Sequence, residues 1–86
     1  MAKKFVWVVD VWFDNGQRID TLAYNNERAA KAAVTRIANE WKDARFDDIW
    51  QDETATAYDV YYPVTYCYRE KDDSRVEIHL LKVNLR

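Results

Sequence analysis

Histidine, cysteine and serine are the side chains from which a nucleophile and a proton carrier are most often built, and this sequence holds few of them. His79 is its only histidine, Cys67 its only cysteine and Ser74 its only serine. Nucleophilic catalysis needs a base within hydrogen-bond reach of the nucleophile and a third group to orient that base. No motif spacing ties His79 to either candidate. Flanked by Ile78 and Leu80, it reads as a strand histidine with a hydrogen-bond partner or in solvent. Nothing near Cys67 in the sequence implies a lowered thiol pKa. The chain therefore reads as non-enzymatic, with no catalytic residue, no cofactor and no small-molecule substrate.

Metal chemistry has one foothold. Asp47, Asp48, Asp52 and Glu53 crowd the stretch FDDIWQDET and supply the hard oxygens that calcium takes. They miss the calcium-loop spacing, and the glycine that bends such a loop is absent. A solvated acidic loop is the plain reading of these residues. The functional alternative is an acidic contact for a basic protein surface, with Trp50 in its middle as the anchor, because interfaces concentrate their energy in aromatic residues ringed by polar ones.

Nucleic-acid binding would draw on the basic residues Arg28, Lys31 and Arg36, with Lys42 and Arg45, against Glu27, Glu40 and Asp43 on the same helix. The tyrosines further along could stack bases. Both features also suit a solvated helix face and a strand packed in a core. A glycine-rich phosphate loop is excluded, since Gly16 is the only glycine, and a formal charge of −2 gives no global attraction to phosphate or to anionic lipid. A nucleic-acid partner is the second reading, and a protein partner, or a second copy of the chain, the first.

These residues need elements to position them. VWVVDVWF, residues 6 to 13, reads as a strand, with Trp7, Val9, Val11 and Phe13 on one face and Val6, Val8 and Trp12, interrupted by Asp10, on the other. Asn15-Gly16 suits both centres of a type I′ turn and returns the chain into a second strand, Arg18 to Tyr24. Asn25-Asn26 then offers an N-cap, and Ala30, Ala33, Val34, Ile37, Ala38, Trp41 and Ala44 form one apolar stripe, which predicts a helix from Asn26 to Arg45. Residues 46 to 54 break both periodicities and read as a loop, pinned by Phe46 or Trp50. A third strand is expected over Ala57 to Arg69, with Tyr62, Tyr66 and Tyr68 on one face. Pro63 marks it as an edge or a bulge, because proline lacks the amide proton of a ladder. After the polar turn REKDDS, a fourth strand, RVEIHLLKVNLR, changes its apolar phase at Leu80-Leu81, which implies a bulge or burial on both faces.

The expected fold is α+β, in the order ββαββ: a four-stranded, mostly antiparallel sheet with one long helix on one face and spatial strand order 2-1-4-3. One helix covers one face. Part of the other, with Trp12, should stay uncovered unless the 46 to 54 segment or another chain lies on it. Four Trp, six Tyr and three Phe, 15% of the chain, exceed what so small a core needs, and Trp and Tyr are enriched at interface centres. A protein of this mass exposes about 5,400 Å², and a standard contact takes roughly 800 Å² from each partner. Docking alone is thus a sufficient mode of action, and Trp12 and Trp50 are the expected anchors.

Eighty-six residues allow one domain, and 49% apolar against 33% charged residues describe a globular chain. A lone cysteine forms no internal disulfide, the first residues read against a secretory leader, and no apolar run approaches a membrane span, so a cytoplasmic home is expected. The stretch MAKKFVWVVDVWFDNGQRIDTLAYNNERAAKAAV, a lysine start, an Asn-Gly hairpin, then a polar cap and an alanine-rich helix, resembles small accessory proteins encoded by phages and prophages. That resemblance implies a host- or defence-directed binding protein, the class that includes anti-CRISPR inhibitors.

Overall fold

The computed structural model describes residues 5–13, 16–44, 46–52 and 62–84. Five strands and one helix follow one another as β1 (Phe5–Phe13), β2 (Arg18–Tyr24), α1 (Glu27–Asp43), β3 (Asp48–Asp52), β4 (Val64–Arg69) and β5 (Ser74–Asn84). The strands make one antiparallel sheet in the order β2-β1-β5-β4-β3, with α1 against one face. The α+β class and the expected order 2-1-4-3 hold for the four strands anticipated, but a fifth is added at the edge.

That fifth strand corrects the expected loop over residues 46 to 54. DIWQD shows no alternation of apolar and polar residues, because Ile49 and Trp50 point to opposite faces of the sheet. It is a strand because β4 offers it a free ladder edge, which no local pattern reveals. Pro63 accordingly does not mark β4 as an edge. It sits just before the strand begins, where its missing N–H costs no ladder bond. The expected start of that strand, residues 57 to 61, lies outside the described residues.

Two further expectations are refined. Gly16 N donates to Phe13 O at 3.0 Å and Phe13 N to Gln17 O at 2.9 Å, so three residues, not two, separate the bonded pair. Gly16, at φ +85°, takes the left-handed position that closes such a loop, rather than sharing the centre of a type I′ turn. In β5 there is no bulge: its register with β1 runs unbroken from Phe5↔Asn84 to Phe13↔Val76. Val76, Ile78 and Leu80 face the helix, while Leu81 and Val83 lie across from Val8 and Val6 on the far face. The phase change is thus apolar surface on both faces.

The helix starts where the cap predicts. Asn26 Oδ1 accepts from Ala29 N at 2.8 Å, with Glu27 in the first turn and Lys42 in the last, and a cap of this kind contributes about 1 kcal/mol. Ala30, Ala33 and Ala38 are small enough to bring the helix close to the strands. The measure of that approach is Cys67 Sγ, which lies 3.7 Å from Ala38 O. Val9, Val11, Val76, Ile78 and Cys67 are at most 2% exposed. Past Asp43 the chain is turned back by Phe46, buried edge-on against Trp41 and covered by the Arg69 guanidinium 4.8 Å from its ring centre. Phe46, not Trp50, is the pin.

Burial of this unevenness makes the two faces thermodynamically distinct. Ile78→Ala, at a fully buried position, should lower unfolding free energy by about 3 kcal/mol, whereas Val83→Ala, on the far face and 39% exposed, should change it by less than about 0.5 kcal/mol. Urea denaturation of both variants checks this, and equal costs would show that the far face is also covered.

Candidate functional site

Direct cross-strand partners share a face, so the register assigns every side chain of the sheet. Away from the helix, one transverse row reads Arg18, Trp12, Glu77, Tyr66, Trp50 across β2, β1, β5, β4 and β3. The two expected anchors, inferred from separate features of the sequence, therefore stand in the same row. Three strand spacings lie between them, about 14 Å.

At the β3 end Trp50 is 41% exposed and stacks on Tyr66, with ring centres 5.1 Å apart and planes at 21°, and it meets Tyr68 edge-on at 6.0 Å. Asp48 and Asp52 flank it on the same face, opposite Tyr68 and Val64. Burial, reinforced by Glu77 and Asp52 and opposed by Arg75, holds the Tyr66 phenol above its ordinary pKa. Carboxylates and a guanidinium thus both act on this aromatic pair, Arg75 lying 5.9 Å from the centre of the Tyr66 ring. At the β1 end the Arg18 guanidinium lies 4.7 Å from the centre of the Trp12 ring.

Between the ends the face is neither flat nor bare. His79 and Val64, each one residue past the Thr65↔Ile78 pair of β4 and β5, are 7% and 1% exposed. His79 Nε2 lies 3.2 Å from Glu77 Oε1, and Asp10, across from His79 on β1, accepts from Thr21 Oγ1 at 2.7 Å. Asp10, Trp12, Arg18, His79 and Leu81 line a recess of about 230 Å³. Of the two positions the sequence allows His79, with a hydrogen-bond partner or in solvent, it takes the first. Sequence reasoning did not foresee the recess, because that depends on the cross-strand match of Asp10 with His79.

The remaining acidic candidates divide. Asp47 does not join the aromatic row: its N donates to Tyr68 O at 2.8 Å and its Oδ2 accepts from Glu70 N at 2.7 Å, which ties the start of β3 to the turn between β4 and β5. Glu53 lies outside the described residues. Among those described, no group of three or more histidine, cysteine or acidic side chains is placed to hold a metal ion, and no helix is long and apolar enough to cross a membrane.

On α1 the basic candidates are paired with acids of the same helix. Lys31 lies 3.7 Å from Glu27 and Arg36 3.1 Å from Glu40, each one turn apart. Arg28 is exposed beside them. Local neutralisation of this kind weakens a phosphate-binding surface, because each paired cation must give up a partner to release a counterion. Tyr62, expected to share a face with Tyr66 and Tyr68, instead packs on the helix side. There it accepts from Trp7 Nε1 at 3.0 Å and donates to Glu27 Oε2. Tyr62 precedes β4, so the alternation that places Tyr66 and Tyr68 does not extend to it.

Compared with known proteins, the chain matches no family model, no curated protein and no solved structure. The class that the fold defines is a two-layer α+β domain, one helix on a five-stranded antiparallel sheet.

Cys67 is the remaining chemically reactive side chain of the sheet. It is fully buried beneath α1, and burial pushes its thiol up to about 11. A thiol this far above neutrality is protonated at pH 8 and not a nucleophile. Reaction with a disulfide reagent at pH 8 should be at least about a hundredfold slower in the native chain than in urea. Rapid labelling of the native chain would show that the helix opens readily from the sheet.

Proposed function

We propose that this is a non-enzymatic interaction protein that binds a protein partner through the sheet face opposite α1. The observation that carries the reading is Trp50, exposed yet stacked on Tyr66, in one row with Trp12 and flanked by carboxylates. Large apolar rings set in a polar surround, with no described element over them, have the composition of an interface centre. Among the described residues this face carries Asp10, Asp48, Asp52 and Glu77 against Arg18 and Arg75, so the partner it suits presents a basic surface with apolar patches. Likeness to phage and prophage accessory proteins directs the search toward a bacterial host or defence protein.

Capture from a bacterial lysate split into nuclease-treated and untreated halves, with the chain's own mass measured by light scattering, tests this reading. The tagged wild type should retain one protein in near-equal amount. Trp50→Ala should weaken that capture by about 30-fold, the scale of an aromatic hot spot, and Arg36→Ala on the helix should leave it unchanged. Capture that disappears with nuclease, or that Arg36→Ala abolishes, would overturn the reading in favour of nucleic acid on the helix. A mass of two chains with nothing else retained would replace the foreign partner by a second copy.

A further inference from the structure

The recess beside Trp12 has a chemistry of its own. Its volume, about 230 Å³, falls below the roughly 300–1,000 Å³ of a site for a free small molecule, yet holds several waters at about 30 Å³ each. A single side chain is the occupant of that size. Trp12 and Leu81 make apolar walls, and Asp10 and His79 supply the polar groups, with His79 more than nine-tenths buried and joined to Glu77 Oε1 at 3.2 Å. A carboxylate has acceptor sites for several donors, and Thr21 Oγ1 takes one on Asp10. Of the lining residues Asp10 is the one carboxylate and Arg18 the one fixed cation, while Glu77 stands behind the wall, 3.2 Å from His79 Nε2.

An anion would meet Asp10, and a purely apolar side chain would cut its remaining acceptor sites off from water without supplying a donor. A side chain with an apolar stem and a planar cationic head satisfies both halves of the lining. The structure shows one such head in place: the guanidinium of Arg18 lies 4.7 Å from the centre of the Trp12 ring. Arg18 comes from the edge strand β2, at the register shift beside Trp12, where its side chain is exposed and has room to turn away.

We propose that this recess receives an arginine side chain of the protein partner, which stacks on Trp12 and bonds to Asp10, with Arg18 as the internal stand-in that it displaces. The proposal rests on the sheet-face reading above and names the chemistry of one contact within it. Position supports the link, since the recess opens in the row that carries Tyr66 and Trp50.

The test is a titration of the ¹⁵N-labelled full chain with N-acetyl-arginine methylamide, followed at the Trp12 indole N–H by NMR, with the neutral isostere N-acetyl-citrulline methylamide as control. A probe of this size binds in about the millimolar range at best. Arginine should shift the signals of Trp12, His79 and Leu81, and citrulline should bind at least about tenfold more weakly. Arg18→Gln should tighten the arginine probe about threefold by removing its competitor, and Trp12→Leu should abolish binding while the rest of the spectrum stays in place. Equal shifts from citrulline, weaker binding in Arg18→Gln, or no shift at about 50 mM probe would each overturn the proposal. No partner is needed for this titration, so its failure is separate from any failure of partner capture.

Discussion

The antiparallel pairing of β1 with β5 decides the face of every other side chain in the sheet. It joins strands from opposite ends of the described chain in an unbroken register from Phe5↔Asn84 to Phe13↔Val76, and both hairpins hang from it, β2 on one side and β4 with β3 on the other. Because strand side chains alternate, a slip of one residue would exchange Val76, Ile78 and Leu80 for Glu77, His79 and Leu81 beneath the helix. Such a slip would bury Glu77 and lift Val9, Val11 or their partners into water, so the apolar pattern of the two strands fixes the register on the helix side. The same register is what brings Asp10 beside His79 and lays Trp12, Glu77, Tyr66 and Trp50 in one line.

Width is the second constraint. Five strands span about 19 Å, and one helix with its side chains covers about 10–12 Å. Grooves therefore run along both flanks of α1, one beside β3 lined by Ile49, Gln51 and Thr65, the other beside β2 lined by Ile19, Asp20 and Leu22. The centre of the helix side is filled by small and branched residues, Val9, Val11, Ala33, Ala38, Val76 and Ile78, whereas Phe5, Phe13, Tyr24, Trp41 and Tyr62 stand half-buried around it. Those rings do the work of a second helix. Charge assists them from outside: Lys82 lies 4.1 Å from the centre of the Phe5 ring and Lys31 5.3 Å from that of Tyr62.

Legibility of the sequence followed the strength of local pattern. Helix α1 and the first hairpin could be read because cap, stripe and turn glycine are short-range signals. Strand β3 could not, since its five residues take their conformation from a neighbour more than ten positions away. For the same reason the candidate acids separated as they did. Asp48 and Asp52 alternate with Ile49 and Gln51 and so share a face with Trp50, while Asp47 lies one residue before the strand and bonds to the backbone of the next turn. Composition alone treats these acids as one cluster; strand periodicity divides them.

The surplus of aromatic residues can now be apportioned. Of thirteen in the sequence, Phe5, Trp7, Phe13, Tyr24, Trp41, Phe46 and Tyr62 pack on the helix side. Trp12, Trp50, Tyr66 and Tyr68 lie on the other face, and Tyr58 and Tyr61 fall outside the described residues. The larger share therefore answers a need of the fold, the gap left by one helix on a broad sheet. The smaller share answers none that the described elements impose. Stacking explains how Trp50 and Tyr66 are held, but it does not explain why this sheet face would carry them, since a polar pair at those positions would satisfy the same ladder. What distinguishes the four rings is their company: Asp48, Asp52 and Glu77 stand around them, and a guanidinium already lies over Trp12. Rings in a field of carboxylates attract cations twice, through their own quadrupoles and through the neighbouring charge, and that combination is what ties the proposed docking face to a basic partner.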